Sequence, residues 1–270
     1  MTADESRRLL DAAAVRDAVL GASPHWRRID VVSETGSTNA DLIARAAGGE
    51  DIDGAVLIAE HQTAGRGRQG RSWSDVVGAQ ITMSVGVGAT AVPSEAWGWL
   101  PLATGIAIVD AVRDSTGIEA GLKWPNDVLA GPGKLAGILA EVAAPQRAIV
   151  VGFGLNVTVR PEEIAVAEAT SLAELGVAAP DRVRLIAALL TQLGQRIAAW
   201  RGATGTDAGL IADYRARCLT LGAQVRAILP DNREITGVAD DVDEQGRLAI
   251  RADGETILVS AGDVIHLRRI

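Results

Sequence analysis

Apolar residues along this chain fall into blocks of helical or alternating spacing, separated by Gly and Pro. Residues 4–20 place Leu, Ala and Val at helical spacing before Gly21, and Ser23-Pro24 marks a turn, so a first helix is predicted there. A second is predicted over 38–47, with Ser37 or Thr38 as N-cap and Gly48-Gly49 at its end. The cap hydroxyls either face a polar ligand at the positive end of this helix or simply satisfy its first N–H groups. The unbroken apolar run 55–59 reads as a buried strand, and Ile81, Met83, Val85 and Val87 alternate with small or polar residues as a second strand.

Further on, 95–116 reads as a long apolar helix and 121–124 as a short strand. Residues 134–142 and 147–157 form neighbouring strands around an Ala143-Ala144-Pro145-Gln146 turn, and helices follow at about 181–200 and 206–217. From Gly222 the pattern changes to short strands separated by Pro230-Asp231-Asn232, Asp243-Glu244-Gln245-Gly246 and Asp253-Gly254, the spacing of a small barrel. This organisation divides the 270 residues into a large domain, 1–216, and a small one, 217–270, without an internal repeat or low-complexity linker.

Composition narrows the functional classes. Hydrophobic residues make up 48% of the chain but aromatics only 3%, so the core must be mostly aliphatic. A net charge of −8 argues against the nucleic-acid backbone as main partner, although a local basic patch is compatible with it. Cys218 is the single cysteine, which excludes an internal disulfide framework, and no Cys/His cluster has zinc spacing. The N-terminus has no basic stretch followed by an apolar one, and no apolar run reaches membrane-spanning length; a cytoplasmic location is expected.

Gly65-Arg66-Gly67-Arg68-Gln69-Gly70-Arg71 sets three guanidinium groups among three glycines. Glycine lets backbone N–H groups approach an anion closely, and Arg supplies a permanently charged fork for carboxylate or phosphoryl oxygens; an exposed, solvated loop is the plainer alternative. The glycines also satisfy G-x-G-x-x-G, but that fingerprint should open a helix, whereas 72–87 reads as loop then strand.

Four more segments accompany this run in order: Ser33-Glu34-Thr35-Gly36-Ser37-Thr38-Asn39 upstream, then Lys123-Trp124-Pro125-Asn126-Asp127-Val128, Lys134-Leu135-Ala136-Gly137-Ile138-Leu139 and Gly152-Phe153-Gly154-Leu155-Asn156-Val157. Together they resemble the ligand-binding segments of biotin protein ligases, which attach biotin to a lysine of a carrier protein. The resemblance spans roughly 30–160, with a weaker likeness to the C-terminus. It implies an α+β fold, with a mixed, largely antiparallel sheet backed by helices as in class II aminoacyl-tRNA synthetases, and a C-terminal SH3-like β-barrel. The implied reaction joins biotin to AMP, releases pyrophosphate, and transfers biotin to a biotin carboxyl carrier domain of an acyl-CoA carboxylase. Some relatives carry an N-terminal DNA-binding domain; the short element before Ser37 leaves no room for one, so an enzyme that does not bind DNA is expected, as a monomer or weak homodimer.

The resemblance also assigns residues. Ser37, Thr38, Asn39, Gln62, Gly65, Arg66, Arg68, Lys134 and Gly137 are the expected biotin contacts, with Ser37, Thr38 and Asn39 at the ureido ring, which needs both donors and acceptors. Arg68, Arg71, Trp73, Lys123, Asn126 and Asn156 are the expected ATP and adenylate contacts. Arg68, Lys134 and Asp127 are expected to be catalytic: Lys134 on the biotin carboxylate and developing adenylate, Asp127 orienting or deprotonating the attacking amine. Each has a plainer alternative. Lys123 reads equally as a solvated cation, Lys134 as a strand-end lysine, Asp127 as a countercharge, Trp73 as core packing, Gly137 as a packing glycine, and the asparagines as turn closers. Trp124 reads as structural, beside a Pro125 that turns Asn126 and Asp127 to the site.

Bringing a carboxylate against a triphosphate needs fixed cations and a metal ion; Mg2+ is expected with ATP, although no carboxylate pair announces its ligands. The Gly/Arg loop is expected to order over bound biotin and adenylate. Two competing readings remain: a nucleic-acid-binding module, and a lipoate ligase, which activates another acid on a related fold.

Overall fold

The computed structural model describes residues 7–21, 23–131, 133–164, 168–229, 233–260 and 263–267. In chain order these form α1 (Ala12–Leu20), β1 (Arg28–Val32), α2 (Thr38–Ala47), β2 (Ala55–Ala59), β3 (Gln80–Gly88), α3 (Trp99–Thr116), β4 (Ala120–Lys123), β5 (Asp127–Ala130), β6 (Gly133–Ala143), β7 (Ala148–Asn156), α4 (Arg182–Gly202) and α5 (Ala208–Arg217). A second unit follows with β8 (Gln224–Ile228), β9 (Glu234–Val242), β10 (Leu248–Ala252), β11 (Glu255–Val259) and β12 (Asp263–His266).

The first sheet has seven strands in the order β1-β2-β3-β7-β6-β5-β4. Only β1 and β2 run parallel; every other neighbouring pair is antiparallel, giving the mixed sheet expected. Strand parity divides its two faces. Ile81, Met83 and Val85 of β3 and Val151, Phe153 and Leu155 of β7 join α1, α3 and α4 in one core. On the opposite face Leu42 and Ala46 of α2 cover only one end, against Leu57, Ala148 and Val150. The uncovered remainder carries Thr82, Ser84, Gly152 and Gly154, and these line the main cavity. Apolar-in, small-or-polar-out alternation thus builds core and site from the same two strands.

The first helix is shorter than the pattern suggests. Asp11 caps it, accepting from Ala13 N–H at 2.8 Å, so it starts at Ala12. Residues 7–10 run ahead of it as a strap, and 4–6 lie outside the described residues. Arg7 grips Glu163 at 2.7 and 2.8 Å, and the Leu10 N–H donates to Glu60, whose carboxylate also accepts from the buried Arg182 at 2.7 Å. Two strands escaped the pattern. β1 is an edge strand with one buried residue, and β5 is four residues folded back on β4.

The five C-terminal strands form an antiparallel sheet ordered β11-β10-β9-β8-β12, with no β11–β12 ladder among the described residues. Residues after α5 still belong to the first sheet: Leu219 N–H donates to Leu122 O at 2.8 Å, and the paired strands of the second unit begin at Gln224. Two buried indoles tie the units together, Trp99 Nε1 to Glu244 O at 2.9 Å and Trp124 Nε1 to Gly246 O at 3.0 Å. Cys218 is buried, and burial pushes its thiol pKa up, as expected of a structural cysteine. No helix among the described residues is long and apolar enough to cross a membrane.

Candidate active site

The Gly/Arg segment leaves β2 and returns to β3 with only a three-residue 3-10 turn, Arg68–Gly70, and no α-helix, which removes the dinucleotide-fingerprint reading. It is a narrow hairpin. Gly67 N–H donates to Arg71 O at 2.7 Å and Trp73 N–H to Gly65 O at 2.9 Å, while Gly70 takes the left-handed φ of 73° that the tip requires. A clasp that sequence reading missed closes its base: the buried side chain of Asp75 meets His61 Nδ1 at 2.6 Å and accepts from Gln62 N–H at 2.8 Å. Histidine and aspartate fourteen positions apart carry no sequence signal of that contact.

The hairpin arches over a cavity of about 430 Å³, within the range of small-molecule sites. Ser37, Thr38, Asn39, Gln62, Arg66, Arg68, Arg71, Trp73, Lys123, Asn126, Asp127, Lys134, Gly137 and Asn156 all line it. Gly65 does not. A Cβ there would lie 2.4 Å from Trp73 O, so this glycine serves the close approach of the two hairpin arms.

The floor is made of glycine. Gly137 of β6 pairs with Gly154 of β7, and the Trp73 ring lies across both: a Cβ at Gly154 would fall 2.2 Å from Trp73 Cζ2, and one at Gly137 3.0 Å from Cζ3. Trp73 Nε1 is buried without a hydrogen-bond partner among the described residues, a donor left to be satisfied.

At one end the polar groups form a chain. Gln62 Oε1 accepts from Thr38 N–H at 2.8 Å, Thr38 Oγ1 lies 2.6 Å from Ser84 Oγ, and the Ser84 hydroxyl donates to Asn39 Oδ1 at 2.6 Å. Asn39 Nδ2 donates to Glu141 Oε2 at 2.8 Å, and Glu141 Oε1 stands 3.3 Å from Arg66 Nη2. Ser37 caps α2, its hydroxyl accepting from Ala40 N–H at 3.4 Å. Ser84 and Glu141 were missed by sequence reading; Ser84 stands among the small residues of β3 and Glu141 at the far end of β6.

At the other end are the charges. Lys134 Nζ lies 2.7 Å from Asp127 Oδ1 and 5.9 Å from the Trp73 ring centre, so its ammonium points inward rather than out along a strand end. Lys123 is the register partner of Asp127 across the β4–β5 hairpin. Arg68 Nη1 donates to Asn126 Oδ1 at 3.2 Å, joining the hairpin to the turn beyond Pro125. Asn156 is occupied on every polar atom, accepting from Gln80 at 2.8 Å and donating to Thr170 O at 2.9 Å, and so ties the wall together. Trp124 is 1% exposed, in keeping with its structural reading. Lys123 and Lys134 are the only lysines in the chain.

Ile228, Val264 and Ile265 of the C-terminal sheet close the cavity, residues that sequence reading did not single out. Thr220 Oγ1 accepts from Trp124 N–H at 3.0 Å and meets His266 Nε2 at 3.0 Å. Burial and the nearby charge of Lys123 hold the His266 imidazole below its ordinary pKa.

A Gly/Arg hairpin, an inward lysine and a glycine floor on a mixed sheet suit a protein that handles a small acidic ligand. Residues 49–156 match the model of the Biotin/lipoate A/B protein ligase family, and residues 220–267 that of the Biotin protein ligase C terminal domain. The chain is 57% identical, over 98% of both chains, to a biotin--[acetyl-CoA-carboxylase] ligase of Mycobacterium tuberculosis. It is 33% identical to the bifunctional ligase/repressor BirA of Escherichia coli, over 93% of this chain and 76% of that one. Among solved structures, a biotin protein ligase from Aquifex aeolicus in complex with biotin and ATP superposes with a TM-score of 0.77 at 26% identity, covering 90% of this chain and all of that one. The chain belongs to the biotin protein ligase family.

Proposed function

We infer that the chain activates biotin with ATP and transfers it to a lysine of a biotin carboxyl carrier domain, that of acetyl-CoA carboxylase being the named target of its relative. The observation that carries this reading is a single cavity in which the Thr38–Asn39 polar chain and the Lys134–Asp127 pair lie at opposite ends of a glycine floor under the Gly/Arg hairpin. In the first step a biotin carboxylate oxygen bonds to the α-phosphorus of ATP, and the bond from that phosphorus to pyrophosphate breaks. In the second, a neutral lysine nitrogen attacks the acyl carbon, AMP leaves, and the nitrogen gives up a proton.

The residues divide this work by charge. Ser37, Thr38, Asn39 and Gln62 offer donors and acceptors to the ureido ring, while Arg66 and Arg68 guard the acid. Lys134 sits on the carboxylate and the charge developing at the adenylate, where a preorganised cation is worth most. Trp73, supported from below by Gly137 and Gly154, gives adenine a flat face; Arg71, Lys123, Asn126 and Asn156 lie towards the phosphates and ribose. Asp127 holds Lys134 and faces the acceptor amine.

Mg2+ suits this site as an ion carried on the phosphates. Among the described residues Asp127 is the one carboxylate lining the cavity, and no group of three His, Cys, Asp or Glu that would hold a metal occurs. With most of its ligands from phosphate and water, Mg2+ would meet Asp127 and offset phosphate charge.

The test is ATP–pyrophosphate exchange, which reports reversible adenylation without the carrier. Biotin is expected to support exchange and lipoate not to. Exchange with lipoate alone would move the assignment to the lipoate ligases, and exchange with neither acid would reduce the site to a binding role.

A further inference from the structure

Asn39 carries an amide whose two ends are opposite in hydrogen-bonding sense, and something must decide which way it points. Its Nδ2 donates to Glu141 Oε2 at 2.8 Å and to Leu139 O at 3.2 Å, while Oδ1 accepts from the Ser84 hydroxyl at 2.6 Å. Glu141, as a carboxylate, only accepts. Reversing the amide would set Asn39 Oδ1 against both the Glu141 carboxylate and the Leu139 carbonyl, so the two acceptors select the orientation together, the charged one at the shorter distance.

That choice propagates. Ser84 has one proton and spends it on Asn39. Thr38 Oγ1 lies 2.6 Å from Ser84 Oγ and 3.1 Å from Gln62 Oε1, and only donation from Thr38 to Ser84 avoids opposing lone pairs at the shorter contact. Donation therefore runs Thr38 to Ser84 to Asn39 to Glu141. Gln62 Oε1 is left to the Thr38 N–H at 2.8 Å.

The other oxygen of Glu141 stands 3.3 Å from Arg66 Nη2, so the same carboxylate counters the first arginine of the hairpin. Glu141 also lines a second cavity with Arg66, Arg68 and Arg71 of the hairpin, and is the single carboxylate among its described lining residues.

We propose that Glu141 is a positioning residue for biotin: it sets the donor–acceptor direction of the Thr38–Ser84–Asn39 chain and docks Arg66 beside it. The proposal rests on the reading that this end of the cavity receives the ureido ring. A ureido group matches its surroundings only when donors and acceptors stand in one fixed order, so a chain able to run either way binds it more weakly.

Glu141→Gln tests this, because it keeps size and packing but offers both a donor and an acceptor to Asn39. In ATP–pyrophosphate exchange, Glu141→Gln is expected to raise the KM for biotin about tenfold, the cost of one charge-assisted hydrogen bond, with the KM for ATP unchanged. In an Asn39→Ala background the same substitution should raise the biotin KM by much less, the remainder being the lost Arg66 ion pair. A biotin KM within about twofold of the unsubstituted protein, on the same scale, would overturn the proposal. So would a parallel rise in both KM values, or additive effects in the double variant. A raised KM for biotin but not for ATP in Asn39→Ala alone checks separately that this end of the cavity receives biotin, and an unchanged urea midpoint shows that Glu141→Gln folds.

Discussion

Asp127 illustrates how one contact changes an expectation about a residue. The sequence suggests a carboxylate for the acceptor amine; 2.7 Å from Lys134 Nζ it also holds the cation proposed to face the adenylate. Asp127→Asn is therefore expected to slow adenylate formation about 10-fold and transfer about 100-fold, the range of a lost proton acceptor. Single-turnover measurement of the two half-reactions separates them; equal losses would leave Asp127 as Lys134's partner alone. Gly152 makes the same point for steric fit. A Cβ there would fall 2.1 Å from Asn39 Oδ1, so the missing side chain on β7 is what lets the amide reach the floor.

At the scale of elements, the strap formed by residues 7–10 is held by chemistry that pH can read. The hydrogen bond from Arg7 holds the Glu163 carboxyl down at about 2, against burial, which alone would raise it. A carboxyl lowered in the folded state adds stability above its ordinary value of 4.5 and loses that contribution as pH falls through about 2. Arg7→Ala is expected to cost about 1 kcal/mol at neutral pH, after solvent screening. It should also flatten the loss of stability between those two pH values, as urea unfolding at a series of pH values would record. An unchanged profile would mean that Arg160, also in contact with Glu163 at 2.9 Å, suffices.

The whole molecule sets its two lysines in one cavity and closes that cavity with the second sheet through Ile228, Val264 and Ile265. Amine-directed acetylation should therefore modify Lys123, Lys134 and the chain's α-amino group alone. Saturating biotin and ATP are expected to protect Lys134 by tenfold or more, on the order of its occupancy, and Lys123 alongside it, as peptide mass spectrometry would read. Unchanged labelling of Lys134 would remove it from the ligand-contacting set. The second sheet also braces the site from outside the cavity: Trp124 N–H has Thr220 as its partner, and Thr220 meets His266 of the C-terminal sheet, so the turn that carries Asn126 up to Asp127 is held from the C-terminal side.

Much of this protein was legible in one dimension. The alternation in β3 and β7 specified both the core face and the small, polar face, and the Gly/Arg, Lys-Trp-Pro-Asn-Asp and Lys-Leu-Ala-Gly segments, in that order, pointed to a ligase of biotin through their resemblance to that family, while their local chemistry offered anion forks, a turn and a cation near a glycine. What stayed hidden depended on distance in space. β1 and β5 are strands because neighbours pair with them, and α1 begins at Ala12 because Asp11 caps it while residues 7–10 engage Glu60 and Glu163. The His61–Asp75 clasp, the Glu141 end of the Asn39 chain and the C-terminal wall join residues with no shared period or motif. Local propensity and periodicity act within a few residues of the chain, whereas hydrogen-bond direction, ion pairing and cavity closure exist only once distant strands lie side by side.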